Sequence, residues 1–122
     1  MQYLLVALGG ALGSVLRFAI GNGFRAVLPT TFPWATFSVN VVGSLLAGLL
    51  YVLLERQLIP ANYQPVIFAG FLGGFTTYSA YALDSWRMLD NGNPLLAMTY
   101  IAGTTLLCLV CTFIGVTLAR GF

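Results

Sequence analysis

Four long apolar segments constrain this chain more than any other feature of its sequence. They run over residues 3–24, 33–54, 62–89 and 94–119. A helix that crosses a lipid bilayer needs about 20 mostly apolar residues, and each segment reaches that length. The sequence therefore predicts an all-α membrane protein with four transmembrane helices, which form a single domain over residues 1–122.

The charge content supports this prediction and excludes several classes of protein. Only 7% of the residues are charged, against about 25% in a typical soluble domain. The chain has no Lys and no His, and its net charge of +2 is too scattered for a nucleic-acid surface. Cys108 and Cys111 lie one turn apart in an apolar segment without a second pair of ligands, so a zinc site is not expected. They are predicted to be small buried apolar residues. Arg17 interrupts the first segment, which is therefore expected to be a retained span and not a cleaved signal peptide.

The arginines in the loops give little bias to the orientation of the chain. Short loops would place Arg56 and Arg120 on one side of the membrane, and Arg25 and Arg87 on the other. Because an excess of such residues normally fixes orientation, an even split predicts insertion in both orientations. The alternative is a single topology that is set by the N-terminal amine.

Small residues recur at helical spacing in the first two segments. Gly9 and Gly13 are four residues apart, and Gly43, Ala47 and Gly48 have a similar spacing. Such positions let helix backbones approach closely in lipid. Packing within one chain explains most of them, while a homodimer of this small bundle is the other interpretation.

The stretch "GGFTTYSAY", residues 73–81, predicts a break in the third helix. Gly73 and Gly74 permit unusual backbone torsions, and the hydroxyl residues that follow are poor helix formers that can bond to released backbone groups. A break at membrane depth is tolerated only where it is buried or faces water. Released carbonyls at such a break can bind a cation, and released N–H groups can bind an anion. The rings of Tyr78 and Tyr81 would share one face, with electropositive edges, or would simply pack.

Two isolated polar residues in the spans suggest contacts with an anion. Arg17 is the only charge deep in a predicted span, so it either faces a water-filled vestibule or bonds to backbone carbonyls near the interface. Asn40 can donate two hydrogen bonds, either to an anion or to a neighbouring helix.

The fourth segment repeats a polar residue every four positions. The shared face carries hydroxyl and thiol groups over about 18 Å of helix at about 1.5 Å per residue, at Tyr100, Thr104, Cys108 and Thr112. This pattern favours a ladder of donors along a pore wall. The alternative is that each threonine bonds to a carbonyl of its own helix.

By three of its motifs the chain resembles the small fluoride channels of the Fluc (CrcB) family. The matching stretches are "GGALGSVLRF" at 9–18, "FPWATFSVNVVGSLLAG" at 32–48 and "GFLGGFTTYSAYALD" at 70–84. They cover about a third of the chain in the expected order and spacing, and the length and four-span layout also fit.

The resemblance implies an antiparallel, dual-topology homodimer in the inner (plasma) membrane with two fluoride pores. It implies passive export of cytoplasmic fluoride, which enters cells as neutral hydrogen fluoride. A structural sodium ion would lie on the two-fold axis, bound by the backbone carbonyls of Gly73 and Thr76. The fluoride path would use Asn40, Ser79, the ring edges of Tyr78 and Tyr81, and the polar track of Tyr100, Thr104, Cys108 and Thr112. Arg17 matches the vestibule arginine.

The sequence departs from the family at the two tyrosines, where phenylalanines are usual. Each tyrosine keeps the ring edge but adds a hydroxyl group, which could donate to fluoride or narrow the path. A related second subunit that carries the phenylalanines is therefore a further expectation. Two other functions are the alternatives. A small multidrug-type exporter would need a carboxylate at mid-membrane. A non-transporting assembly subunit would not explain the polar ladder.

Overall fold

Four helical stretches of membrane-spanning length make up the fold. The computed structural model describes residues 1–121, and its helices of sufficient length and apolar character are Gln2–Val27, Trp34–Glu55, Ala61–Asp90 and Pro94–Arg120. This confirms the predicted all-α architecture of a membrane protein. The named elements are α1 (Gln2–Val27), α2 (Trp34–Glu55), a 3₁₀ turn (Ala61–Tyr63), a π helix (Val66–Leu72), α3 (Gly73–Phe75), α4 (Tyr78–Asp90) and α5 (Pro94–Arg120).

The helix ends follow from proline and glycine. Pro94 occupies the first turn of α5, where its missing N–H is not needed by the helix. Gly92 has a φ of 78°, a left-handed conformation that glycine adopts without strain, and it lets the chain turn between α4 and α5. The sequence "DNGNP" at 90–94 spans this turn.

Glycines bring the helix backbones into contact within the chain. A Cβ atom on Gly48 of α2 would overlap the carbonyl oxygen of Thr112 in α5, and one on Gly115 would overlap that of Leu45. In the same way Gly13 of α1 lies against the backbone of Phe71 and Phe75. Packing within one chain therefore accounts for these close approaches, as expected for most of the small residues.

The outer surface of the single chain is largely apolar. Large apolar side chains are exposed on several helices, for example Tyr3 in α1 and Leu95 and Phe113 in α5. Contiguous apolar surface of this kind is unusual for a protein in water but suits contact with lipid or with another chain. A small buried cluster forms around Tyr100, Met88 and Ala97, where α4 meets α5.

Candidate functional site

An uncharged cavity lies between α2, the third membrane segment and α5. Its volume is about 500 Å³, and the single chain does not enclose it completely. No charged side chain contributes to its wall. The polar or small residues that line it come from all three elements: Asn40, Gly43, Ser44, Gly73, Thr76, Thr77, Tyr78, Tyr81, Thr104, Thr105, Cys108 and Thr112.

The helical hydrogen bonding of the third segment stops at Thr76 and Thr77. α3 ends at Phe75 and α4 begins at Tyr78. Between them Thr76 has φ and ψ of −92° and 158°, and Thr77 has −150° and 118°, so both residues are extended. Several backbone groups around this point thus lose the partners that a continuous helix would supply.

The side chain of Asn40 bonds to both backbone groups of Thr77. Its Nδ2 donates to the Thr77 carbonyl at 3.0 Å, and the Thr77 N–H donates to its Oδ1 at 2.8 Å. The amide therefore stands in for a neighbouring peptide group. Because an asparagine amide has two N–H donors, one remains for another acceptor at the cavity wall.

Arg17 bonds to a carbonyl that the interruption releases. Its Nε donates to the Gly74 carbonyl at 2.9 Å. In a continuous helix that oxygen would accept from the N–H of Tyr78, four residues on. Of the two alternatives raised for Arg17, the hydrogen bond to a backbone carbonyl is present, and Arg17 lies outside the lining of the cavity.

Side chains also take the N–H groups that would have bonded to Gly73 and Thr76. In a continuous helix the Gly73 carbonyl would accept from Thr77 and the Thr76 carbonyl from Ala80. Thr77 instead donates to Asn40, and Ala80 donates to the Thr77 hydroxyl at 3.2 Å. The two carbonyls predicted as cation ligands are therefore those released by this exchange, and both residues line the cavity.

Tyr78 and Tyr81 lie side by side at the start of α4. Their ring centroids are 5.5 Å apart with the planes inclined by 23°. The ring of Tyr78 is 83% exposed in the single chain, whereas that of Tyr81 is partly buried. The Tyr81 hydroxyl donates to the carbonyl of Ile101 at 2.9 Å and lies 3.1 Å from the Thr105 hydroxyl.

Three of the four residues in the polar repeat of α5 line the cavity. These are Thr104, Cys108 and Thr112, while Tyr100 is buried beside the rings of Phe32 and Tyr81. Thr112 donates across to the Ser44 carbonyl of α2 at 3.1 Å. The buried hydroxyl oxygen of Thr104 has no hydrogen-bond partner among residues 1–121, whereas the hydroxyl of Tyr100 is buried beside the carboxylate of Asp84.

Bonding of threonine to its own helix occurs elsewhere on α5. Thr99 donates to Leu95 and Thr117 to Phe113, both on the exposed surface. Thr104 and Thr112 do not bond in this way, so the repeat differs from its neighbours. Ser79 is exposed, lies 3.3 Å from the Thr77 hydroxyl, and is not part of the cavity wall.

Two contributors to the site were not predicted from the sequence: Ser44 accepts from Thr112, and Thr105 contacts Tyr81. Thr77 was predicted only as a hydroxyl residue that can bond to released backbone groups, and its own backbone is also bound by Asn40. Both Ser44 and Thr105 could have been predicted. Ser44 follows Asn40 by one helical turn, and a tyrosine hydroxyl in an apolar span needs a partner such as Thr105.

A second, smaller cavity of about 180 Å³ lies near the start of α2 and is lined by Arg25, Thr36 and Asp84, among others. Asp84 pairs with Arg87 at 3.9 Å through one carboxylate oxygen, and the hydroxyls of Thr36 and Tyr100 lie beside the carboxylate. The acidic group therefore belongs to a different cavity from the uncharged one.

Comparison with known proteins gives consistent matches over nearly the whole chain. Residues 4–116 match the family described as CrcB-like protein, Camphor Resistance (CrcB). A fluoride-specific ion channel FluC of Magnetococcus marinus is 38% identical over 121 residues, 98% of each chain. The protein of the same name from Azotobacter vinelandii is 44% identical over 118 residues, 96% of this chain and 95% of that protein. That from Rhizobium etli is 38% identical over 121 residues, 98% and 97% of the two chains.

Proposed function

The chain belongs to the CrcB family, and on that premise we propose that it forms a passive, fluoride-selective ion channel. The match over residues 4–116 and the relatives named fluoride-specific ion channel confirm the resemblance that the three motifs indicated. The chain is a multi-pass membrane protein and not an enzyme. In the cell it would reside in the plasma membrane and let cytoplasmic fluoride leave down its gradient.

One observation carries the proposal: the polar wall of the cavity contains hydrogen-bond donors but no carboxylate. Asn40, Thr104 and Cys108 contribute N–H, O–H and S–H groups, and no acidic residue lines the space. The first turn of the 13-residue helix α4 also lies at this wall. The N-terminus of a helix carries a partial positive charge, so an anion is favoured there and a cation is not.

Fluoride selectivity requires donors that replace the water of a small, strongly hydrated anion. Channels select by the width of the path and by the groups along it. The free N–H of Asn40 would bind the ion near the start of α4, and the ring edges of Tyr78 and Tyr81 would contact it there. Thr104, whose hydroxyl oxygen is buried and unpartnered among residues 1–121, would follow along α5. Cys108 and Thr112 also line the proposed path, with the Thr112 proton given to Ser44, and Ser79 and Tyr100 would extend it beyond the cavity wall.

The position of the carboxylates argues against the multidrug-type exporter. A cationic substrate would need an acidic group in its binding site. Asp84 lies on the smaller cavity, and Glu55 pairs with Arg120 at 3.9 Å at the end of α2. A non-transporting assembly role does not account for the polar wall of the cavity.

We propose further that two chains assemble as an antiparallel homodimer around the interruption at Thr76 and Thr77, which would lie within the membrane. The large cavity is not enclosed by the single chain, and Tyr78 beside it is 83% exposed. A second chain would close the cavity and cover Tyr78. The even distribution of arginines between the loops supports insertion in both orientations. A related second subunit is the alternative partner.

A structural sodium ion would lie where the two chains meet. The backbone carbonyls of Gly73 and Thr76 fit this role, because their helical N–H partners donate to side chains instead. Carbonyl oxygens are hard ligands, suited to an alkali cation. Among residues 1–121 no cluster of three His, Cys, Asp or Glu side chains offers another metal site. One chain provides two such carbonyls, so two chains would provide four and the ion would offset their mutual repulsion.

Flux from liposomes tests the channel. Purified protein in vesicles loaded with potassium fluoride should release fluoride on addition of a potassium ionophore, as read with a fluoride electrode, and should retain chloride. Asn40→Asp should slow fluoride release by about a hundredfold, the ratio that corresponds to about 2.7 kcal/mol, because a carboxylate repels the ion and loses the donor to Thr77. Asn62→Asp, in the exposed 3₁₀ turn, is the matched control. Equal release of both anions would reject the channel.

Sodium is tested separately. Protein purified with N-methyl-D-glucamine in place of sodium should lose fluoride release and recover it when sodium is restored. Unchanged release without sodium would remove the ion from the proposal and leave the channel intact.

A further inference from the structure

The hydroxyl of Tyr81 is held by α5, and this contact has a consequence for the cavity. Its oxygen lies 2.9 Å from the Ile101 carbonyl and 3.1 Å from the Thr105 hydroxyl. Tyr81 and Thr105 both line the cavity. The two residues lie on different helices, so the contact joins the start of α4 to the middle of α5.

The protons of this pair are both committed. A carbonyl can only accept, so the single Tyr81 proton goes to Ile101. The Tyr81 oxygen then accepts from Thr105, whose proton is in turn used. Neither hydroxyl is left to donate to an anion in the cavity. The hydroxyl that distinguishes tyrosine from phenylalanine therefore acts on the ring position and not on the ion directly.

The ring of Tyr81 is fixed from three directions. It stacks on Tyr78 at 5.5 Å, it contacts Tyr100 at 5.3 Å with the planes inclined by 44°, and its hydroxyl is bonded to α5. A phenylalanine would keep the two ring contacts and lose the third. The hydroxyl contact thus adds a directional restraint, toward α5, to the two ring contacts.

We propose that Thr105 is a positioning residue for anion conduction and acts through Tyr81. Its hydroxyl, together with the Ile101 carbonyl, holds the Tyr81 ring in the place where it forms the wall of the fluoride path. This inference rests on the proposed function, since it assumes that fluoride passes the ring. It also answers the question that the tyrosine raised, because the hydroxyl neither donates to the ion nor projects into its path.

The test uses vesicles reconstituted at low protein density, so that many contain no channel and most others contain one. The fraction of vesicles that empty then reports correctly folded protein, and the time constant of emptying reports conduction. Tyr81→Phe and Thr105→Val should each lengthen the fluoride time constant by about fivefold, and leave the emptying fraction unchanged. The double variant Tyr81→Phe/Thr105→Val should match Tyr81→Phe alone, because both changes remove one interaction.

Two further variants make the test decisive. Thr105→Ser keeps the hydroxyl and should restore the wild-type time constant, and Thr117→Val, which removes a hydroxyl bonded only to its own helix, should not alter it. The inference is overturned by wild-type time constants in Thr105→Val, by additive effects in the double variant, or by a change in the emptying fraction alone. Absence of fluoride release from the wild-type protein would instead reject the proposed function itself.

Discussion

Two regions of this chain bring helix backbones into close contact through glycine, but only one of them also has polar side chains bonded to released backbone groups. Where α2 crosses α5, Gly48 and Gly115 remove side chains, and both helices continue with regular hydrogen bonding. Where α1 and α2 approach the third segment, that segment is interrupted, and Arg17 and Asn40 bond to its backbone. The α2–α5 contact leaves both helices regular, whereas the contact with the third segment adds polar side chains that an apolar span would otherwise avoid.

The difference separates packing from the proposed conduction site. A glycine contact offers no group to a ligand, since each carbonyl is already bonded within its helix. An interrupted segment exposes carbonyls and N–H groups that need partners, and polar groups in lipid are expensive to leave unpaired. The chain retains this arrangement beside the cavity of about 500 Å³, which is why we place the ion path there and not along the α2–α5 contact.

The largest expected effect concerns the glycine contact. Gly115→Ala should lower the free energy of unfolding by about 3 kcal/mol, because the new methyl group overlaps the Leu45 carbonyl and forces the helices apart. Gly103→Ala, on the same helix with nothing within 4 Å of its Cβ position, should raise it by up to about 1 kcal/mol through helix propensity. Thermal unfolding followed by size-exclusion chromatography in detergent measures both. Equal behaviour of the two variants would contradict the close packing.

The sequence predicted the regular parts of this fold better than the interrupted one. Hydropathy alone indicated four membrane-length helices, because lipid imposes length and apolar character on any span. The residues "GGFTTYSAY" marked where the third segment changes, since glycine and hydroxyl residues are poor choices for a continuous helix. Which side chain bonds to which released group depends on contacts over 37 and 57 residues of sequence, from Asn40 to Thr77 and from Arg17 to Gly74.

The same limit applies to the polar repeat of α5. Its spacing of four placed Thr104, Cys108 and Thr112 on one wall of the cavity, as a helical face must. Spacing could not show that Tyr100 is buried among other rings, because that depends on the positions of Phe32 and Tyr81. Nor could it show that the Thr112 proton goes to Ser44. Their roles in conduction stay predictions.

An intermediate effect is expected at Arg17. Arg17→Met removes the donor to the Gly74 carbonyl and should lower the free energy of unfolding by about 2 kcal/mol, as for a lost hydrogen bond from a charged group. Arg17→Gln restores a donor without the charge and should recover about half of that loss. The same chromatographic assay applies. If both variants matched the wild-type protein in stability, the hydrogen bond would not support the interrupted segment, and a vestibule role for Arg17 would gain weight.

The smallest effect should come from Thr112, which stands between the two regions because it lines the cavity and also bonds across the α2–α5 contact. Thr112→Val keeps the shape and loses the hydrogen bond to Ser44, so the free energy of unfolding should fall by about 1 kcal/mol. Its proton is not free for an ion, so fluoride release should change by less than about twofold, the equivalent of about 0.4 kcal/mol.

Thr104→Val, two steps of the four-residue repeat away on the same helix, is the matched contrast. Its hydroxyl oxygen is buried and has no partner within residues 1–121, so its loss should leave stability nearly unchanged. Thr104→Val should nevertheless slow fluoride release several-fold, because a hydroxyl without a protein partner is free to donate a hydrogen bond to the ion. If Thr112→Val instead slowed fluoride release and Thr104→Val did not, the ion path would lie near the α2–α5 contact and not at Thr104. Packing and conduction would then not be separate regions of the molecule.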